Sequence, residues 1–433
     1  MQQPIAMKIR MQVCQYLLTM STRSLDLKLV LLSMLAHGTC DHETSAGLIP
    51  IEWESLLGMV RQHRLGPLLH WRLAQNRECR NVPESFAHAL ATSHRRHLVR
   101  SLELRAELLL THRLLRQNAI AGIFLKGAFL AHYAYPEPAL RPLRDLDVLI
   151  PREQALDAFD ALLRAGFTRI GLCPGNPEAA AAHRKHLPPL LTPSGRVAIE
   201  LHTRLITPES GAASPRREPA DDPEIRERLI HREIAGEQIA YLSPTDQLLH
   251  LIVHSVCDHG FNNGPLVLTD IAHLLWKTEI DWPAFWRMAA AGDWLRGSWL
   301  LLHMTQHYYA LQFPPPPTSD LPRLPPDLTS MLADLMLSNP IRSADARLHA
   351  DLYQERRLFR RARVVVQRLC PSSGALVATN HTPDQPLGLT TAYLKHWWRL
   401  TTIRFPEYLA SRRTARLDSE ESSLLRLRHW LAD

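Results

Sequence analysis

Glycine is scarce in this chain, 18 residues among 433, which excludes collagen-like repeats and Gly-rich linker architectures. Cysteine is also sparse. The six cysteines, Cys14, Cys40, Cys79, Cys173, Cys257 and Cys370, lie far apart with no C-x-x-C pair. Neither a zinc ribbon nor a disulfide framework is indicated, and buried reduced thiols are expected. No apolar run approaches the roughly 20 residues of a membrane span; a typical one, Leu29–Ala36, is short and broken by Ser33. The N-terminal stretch has no signal-peptide h-region followed by small residues, so a cytoplasmic protein without membrane partners is expected.

What the chain does have is enough apolar content for a core: 45% of residues are hydrophobic and 21% charged, which excludes a wholly disordered chain. The length implies two or three packed units. Lys and Arg total 50 against 43 Asp and Glu, a formal charge of +7. That modest excess permits phosphate or nucleic-acid partners without requiring them. The cluster Arg356, Arg357, Arg360, Arg361 and Arg363 reads as the solvent-facing side of a late helix.

The pattern along the chain is helical, then mixed, then helical. Ile51–Leu73 carries an apolar stripe at three- and four-residue steps, split by Gly66-Pro67, and Ser101–Gln117 follows as a further helix. The period then changes. Ala121–Leu125 is a short apolar run of the buried-strand type, broken at Lys126-Gly127 into a helical stretch, Ala128–Tyr135. Asp145–Ile150 reads as a second strand, and Pro151 suits a first helical position in a helix that stops at Gly166. Leu187–Thr192 and Arg196–Leu205 flank Pro193-Ser194-Gly195 as a β-hairpin, its first strand weakened by Pro188 and Pro189. Thr207–Pro223 reads as a polar loop, and helices resume at Ser243 with a capping-box-like start. Pro314–Pro317 reads as a stiff connection to a basic helical end. The expected units are a helical region over 1–119, a mixed core over 120–206, a helical substrate or lid region over 207–312, and a Pro-rich connection with a basic helical region over 313–433.

The chemistry concentrates in Leu125–Ile150. Asp145 and Asp147, two apart in a strand, project from one face. Carboxylates that close repel unless a cation lies between them, and hard divalent ions bind through one or two carboxylates plus substrate phosphates. Glu200, an acid inside the apolar run Ile199–Leu201, supplies a third carboxylate if its strand lies alongside. His202 shares its face and would touch nucleotide or acceptor. Lys126 and Gly127 occupy a strand-to-helix turn where backbone N–H groups favour anions, and Arg141 and Arg144 are placed to clamp phosphate oxygens. Taken singly, each of these features also fits an ordinary surface or turn. The ordered combination of strand, Gly turn, helix, acidic pair and hairpin acid points to chemistry.

These residues resemble the polymerase-β-type nucleotidyltransferase superfamily, whose pattern is a Gly turn, an acidic pair in a strand and a third carboxylate on a later strand. The run L-K-G-A-x-L…Y-P…L-R-P…R-D-L-D-V-L-I…E-L-H is most similar to an uncharacterised bacterial branch with a K-G turn. The resemblance implies an α+β protein, a small polymerase-β-like core flanked by helical regions. It implies Asp145, Asp147 and Glu200 as ligands of Mg²⁺ or Mn²⁺, with Glu200 also a base, and an NTP, ATP in expectation, bound through Lys126, Gly127, Arg141 and Arg144. Lys126-Gly127-Ala128 departs from the usual Gly-Ser or Gly-Gly, so the residue that ordinarily contacts the terminal phosphates is missing.

Asp246, His250 and His254 recur every four residues along one helix side. They read as lining of a substrate pocket, or with Asp258 or Asp270 as a metal site, and His183 and His186 as active-site rim. The expected activity is Mg²⁺-dependent transfer of NMP to a hydroxyl or phosphate, a small molecule being the favoured acceptor. A protein- or tRNA-modifying transferase, a non-catalytic nucleotide-binding module and a hydrolase using the His250/His254 face are the alternatives.

Overall fold

The computed structural model describes residues 26–36, 48–75, 82–170, 176–205, 223–317, 323–324, 326–338 and 417–432, with isolated positions among 394–402. The expected loop Thr207–Pro223 falls almost wholly outside these, as do the arginine cluster at 356–363 and every cysteine but Cys257.

The N-terminal stripe folds into α1 (Pro50–Gln62) and α2 (Gly66–Gln75). The break falls at 63–65, where Arg64 turns the chain at φ +58, so Gly66 opens the second helix rather than ending the first. A Cβ on Gly66 would lie 2.5 Å from Ser93 Oγ; this glycine lets α2 approach α3 (Glu84–Gln117) closely. At 34 residues α3 extends well upstream of the expected Ser101 start. Its early turns, rich in His and Arg, hide the apolar period.

The seven strands are β1 (Ile123–Phe124), β2 (Asp145–Leu149), β3 (Thr168–Arg169), β4 (Leu190–Leu191), β5 (Ala198–His202), β6 (Ile230–Ile234) and β7 (Glu237–Tyr241). They form one mixed sheet in the order β3-β4-β5-β2-β1-β7-β6. Pro188 and Pro189 hold β4 to two residues, as their missing N–H groups require. The hairpin β6–β7 lies beyond residue 206 and was not anticipated; its residues Ile230–Ile234 (I-H-R-E-I) are too polar for a buried-strand signal. It joins through a parallel pairing of Phe124 with Tyr241.

On one face of the sheet centre, Leu146, Val148, Ile199 and Leu201 are all at most 1% exposed, and a helix, Ala155–Arg164, packs against β5 and α3 there. That helix begins after a 3₁₀ turn, Arg152–Gln154, which Pro151 precedes, and it ends at Gly166 with φ +91, as its C′ position requires. The other face carries the polar residues, and after the sheet the chain continues as the helices Pro244–Val253, Leu266–Lys277, Trp282–Ala291, Leu295–Tyr309 and Leu328–Met336. Ser243 caps the first of these, its hydroxyl accepting from the Asp246 N–H at 3.2 Å. The final helix, Leu417–Ala432, packs on Leu328–Met336 and ties to it through an Arg426–Asp327 pair. Among the described residues no helix is long and apolar enough to cross a membrane.

Candidate active site

The acids are assembled by strand register. β2 and β5 run parallel with Asp145 opposite Ala198, Asp147 opposite Glu200 and Leu149 opposite His202. Period-two alternation therefore puts Asp145, Asp147, Glu200 and His202 on the polar face of two adjacent central strands. Neighbouring strands lie about 4.8 Å apart, which makes the crowding of carboxylates a consequence of the register. β1, antiparallel to β2, delivers Lys126: the Leu125 N–H donates to the Asp147 carbonyl at 3.0 Å, and Lys126 Nζ reaches Asp147 Oδ2 at 3.0 Å.

Lys126 has φ +47 and ψ −115, a backbone conformation that L-residues rarely adopt. This is the position before the turn glycine, and the strain is held by the Lys126–Asp147 pair on one side and a tightly packed turn on the other. Gly127 needs its missing side chain for that packing. A Cβ there would lie 2.0 Å from Leu143 Cδ2 and 3.1 Å from Arg141 Nη1. The close approach expected of a phosphate is made instead by Leu143, and the helix beyond is only Gly127–Phe129 continued by a π-turn, Leu130–Ala134.

His202, 1% exposed, places Nε2 2.8 Å from Asp147 Oδ1 and 3.5 Å from Glu200 Oε2. His186, bridged to His202 through the backbone, sets Nε2 3.8 Å from the same Glu200 oxygen. The electrostatics separate the carboxylates. Burial alone would raise Asp147, but the Lys126 ammonium and the His202 ring outweigh it and hold that carboxyl well below the usual range. Burial opposes the charged form of His202 as well, yet Asp147 draws its pKa upward. Glu200 is likewise held low, against burial, by His202 and His186. At Asp145 the balance falls the other way: burial, then the charges of Asp147 and Glu200, outweigh Lys126 and His202 and push its carboxyl up to about 6.

That imbalance is what a divalent cation would relieve, and the oxygen-rich donor set suits a hard ion. Donor atoms of Asp147, Glu200 and His202 all lie within 4.8 Å of one another. His202, expected to touch nucleotide or acceptor, belongs to this convergent group. Asp145 shares the face but stands outside it.

Arg141 is engaged by a carboxylate outside the acidic strand face. Its guanidinium forks onto Asp270, with Nε at 2.9 Å and Nη2 at 2.8 Å, and Tyr135 donates to the same carboxylate at 2.7 Å. His273 stacks on Tyr135 with ring centroids 4.2 Å apart. Arg141 thus ties the Pro-Arg turn to the helix Leu266–Lys277, with the Nε–Nη2 edge expected to clamp phosphate taken here by the Asp270 carboxylate. Arg144, by contrast, is exposed beside Asp145.

His250 and His254 lie against the polar face. Burial first, then the Lys126 charge, holds both rings well below their ordinary pKa. His250 is 3% exposed, and among the described residues neither ring nitrogen has a hydrogen-bond partner. His254 Nδ1 donates to Asp258 at 2.8 Å, within a π-turn, His254–Asp258, and Lys185 reaches the same carboxylate at 2.8 Å. The metal site weighed for this helix does not form among the described residues: Asp246 pairs with Arg228, Asp258 with Lys185 and Asp270 with Arg141. Lys185 was missed from sequence, since an isolated basic residue in a polar stretch carries no periodic or motif signal.

Comparison with known proteins returns one family. A family model described as "Uncharacterised nucleotidyltransferase" matches residues 50–310, a span holding α1, the whole sheet and most of the helices behind it. No curated protein and no solved structure matches the chain. With an acidic pair and a third carboxylate in register on adjacent strands inside that span, the chain belongs to the uncharacterised nucleotidyltransferase family and is a transferase enzyme.

Proposed function

We propose that the protein transfers a nucleoside monophosphate from an NTP, ATP in the first instance, to a hydroxyl or phosphate on a small molecule, with Mg²⁺ or Mn²⁺. The observation that carries this reading is the register that puts Asp145, Asp147 and Glu200 on one face, with the Asp145 carboxyl raised first by burial and then by its two acidic neighbours. Asp147, Glu200 and His202 would hold the cation, with Asp145 beside them. Bound there, the cation supplies charge neutralisation at the α-phosphate. As a ligand His202 would bind through Nε2 as the neutral imidazole, its Nε2 proton released to solvent, because one ring nitrogen cannot serve both proton and metal. The acceptor oxygen bonds to the α-phosphorus while the bond to the β-bridging oxygen breaks and pyrophosphate leaves with the electron pair. A hydroxyl acceptor's proton passes to Glu200 Oε. The chain's contribution is positioning and electrostatics rather than covalent chemistry.

The Lys126–Asp147 pair favours a second reading. An ammonium seated on the carboxylate needed for the cation is also what a nucleotide-binding regulatory module would keep. Both are tested by incubating the protein with each α-labelled NTP and Mg²⁺ beside protein, RNA and small-molecule fractions of a lysate. Label entering the small-molecule fraction, and lost with Asp145→Ala/Asp147→Ala, supports the transferase reading. Label in protein or RNA moves the acceptor class. Binding without transfer supports the module.

A further inference from the structure

Arg72, on α2, carries a guanidinium whose Nε and Nη2 are both buried, and among the described residues neither atom has a hydrogen-bond partner. These two atoms form one edge of the group, the same edge with which Arg141 grips Asp270. What surrounds Arg72 is aromatic. Its Cζ lies 5.2 Å from the ring centre of Trp71 and 5.7 Å from that of Trp276, within the range of cation–π attraction. Ring faces attract the charge, but a π face is a far weaker acceptor than a carboxylate oxygen, so the N–H edge keeps most of its hydrogen-bonding demand.

A second unpartnered group packs on the same tryptophan. His273, on the helix Leu266–Lys277, is 3% exposed, and its ring centre lies 5.1 Å from that of Trp276. Its Nε2 is buried and also lacks a partner among the described residues. The other ring nitrogen bonds to the Ala134 backbone, and burial, then the Arg72 charge, lowers the pKa to about 4. The ring is therefore neutral at pH 7, and Nε2 is a hydrogen-bond acceptor. Buried polar groups are almost always paired. A buried donor edge bearing a charge, with a buried acceptor packed on the same ring, points to a ligand that brings both an anionic oxygen and a hydroxyl. Trp276 is 46% exposed, so both groups lie one aromatic ring from solvent.

We propose that Arg72 and His273 form a binding site for a small hydroxylated oxyanion, a hydroxycarboxylate or a hydrogenphosphate, reached past Trp276. Two oxygens of the anion take the Nε–Nη2 edge side-on, and its hydroxyl donates to His273 Nε2. The site goes beyond nucleotidyl transfer and is built from α2 and the helix Leu266–Lys277, not from the strands that bear the acids. It touches the site chain at one point: Tyr135, stacked on His273, donates to Asp270, which holds the Arg141 turn that leads into β2.

The test is calorimetric titration of the full chain with inorganic phosphate, glycolate, acetate and chloride, in chelator so that no cation draws anions to the acids. Wild type is compared with Arg72→Gln, Arg72→Lys, His273→Phe and Trp276→Phe. Phosphate or glycolate should bind wild type at least roughly 10-fold more tightly than chloride, and about 10- to 100-fold more weakly to Arg72→Gln, the range for a lost charge-assisted hydrogen bond. Arg72→Lys, which keeps the charge but not the fork, recovers only part of the loss. Glycolate should be preferred over acetate by wild type and not by His273→Phe. Phosphate binding alone names a phosphate ligand, and glycolate binding alone names a carboxylate. Binding should also change the tryptophan fluorescence, and Trp276→Phe, substituted at an exposed position, should bind with most of that change lost. Wild type that binds no oxyanion better than chloride overturns the site, as does affinity unchanged in Arg72→Gln. If Arg72→Gln does not fold, a fluorescence change that persists undiminished in Trp276→Phe overturns it instead.

Discussion

Removing one charge from the acidic face should stabilise the protein while disabling it. Asp145 is the test position, because its carboxyl is raised from an ordinary 3.8 to about 6, first by burial and then by Asp147 and Glu200. A carboxyl whose folded pKa lies above its unfolded one favours the fold when protonated. The cost of ionising it begins as pH rises past 3.8, grows to pH 6 and is constant above that. At about 1.4 kcal/mol per pH unit the full cost is about 3 kcal/mol. Asp145→Asn keeps shape and hydrogen-bonding capacity but cannot ionise. In metal-free buffer with chelator it should gain up to about 3 kcal/mol at pH 8, and only about 1 kcal/mol at pH 4.5, where the fold has hardly begun to bear the charge. The assay is urea denaturation of both proteins at the two pH values, with m-values compared to confirm that the denatured states match. Saturating Mg²⁺ should narrow the pH 8 gap, since the cation stabilises the wild type and binds the variant poorly, and nucleotidyl transfer by the variant should fall roughly 100-fold or more. A variant less stable than wild type at pH 8, or a gain that is the same at both pH values, refutes the argument that uncompensated carboxylate repulsion is stored at this site.

Three further outcomes follow from the geometry. Asp270→Ala strands the Arg141 guanidinium and removes the Tyr135 acceptor, so stability measured by urea denaturation should fall by about 3–5 kcal/mol, with loss of the fold as the extreme. Gly127→Ala drives a Cβ into Leu143 and should cost about 1–3 kcal/mol by overpacking; Gly127→Ala with Leu143→Ala should recover most of it in a double-mutant cycle. Mg²⁺ affinity, followed by calorimetry, should strengthen from pH 5 to pH 8, because Asp145 and His202 both carry raised pKa values and must lose their protons to bind. The proton count should drop in His202→Asn, and an affinity flat across that range argues against a site at these residues.

The strands that bear the acids were readable in the sequence, and so was the motif. D-L-D-V-L-I and A-I-E-L-H are short apolar runs with acids at alternate positions, and alternation is a local property that fixes which residues share a face. The caps at Ser243 and Gly166 were readable for the same reason, since each depends on hydrogen bonds or dihedral angles within a few residues. What no local pattern contains is pairing between distant segments. The parallel register that sets Asp147 opposite Glu200, 53 positions on, joins two segments that no local pattern links. The β6–β7 hairpin is held by its place at the sheet edge rather than by its own polar sequence.

The partners of the charged residues were decided by tertiary structure alone. Sequence offered Arg141 and Arg144 as equivalent neighbours of the aspartates. The fold pairs one with the buried Asp270 on the helix Leu266–Lys277 and leaves the other exposed. It also converted a presumed phosphate-binding glycine into a packing contact. Composition and alternation determine which residues are available for chemistry and on which face of a strand they lie. Which charge meets which is a matter of distance and burial, and those exist only once the chain has closed on itself.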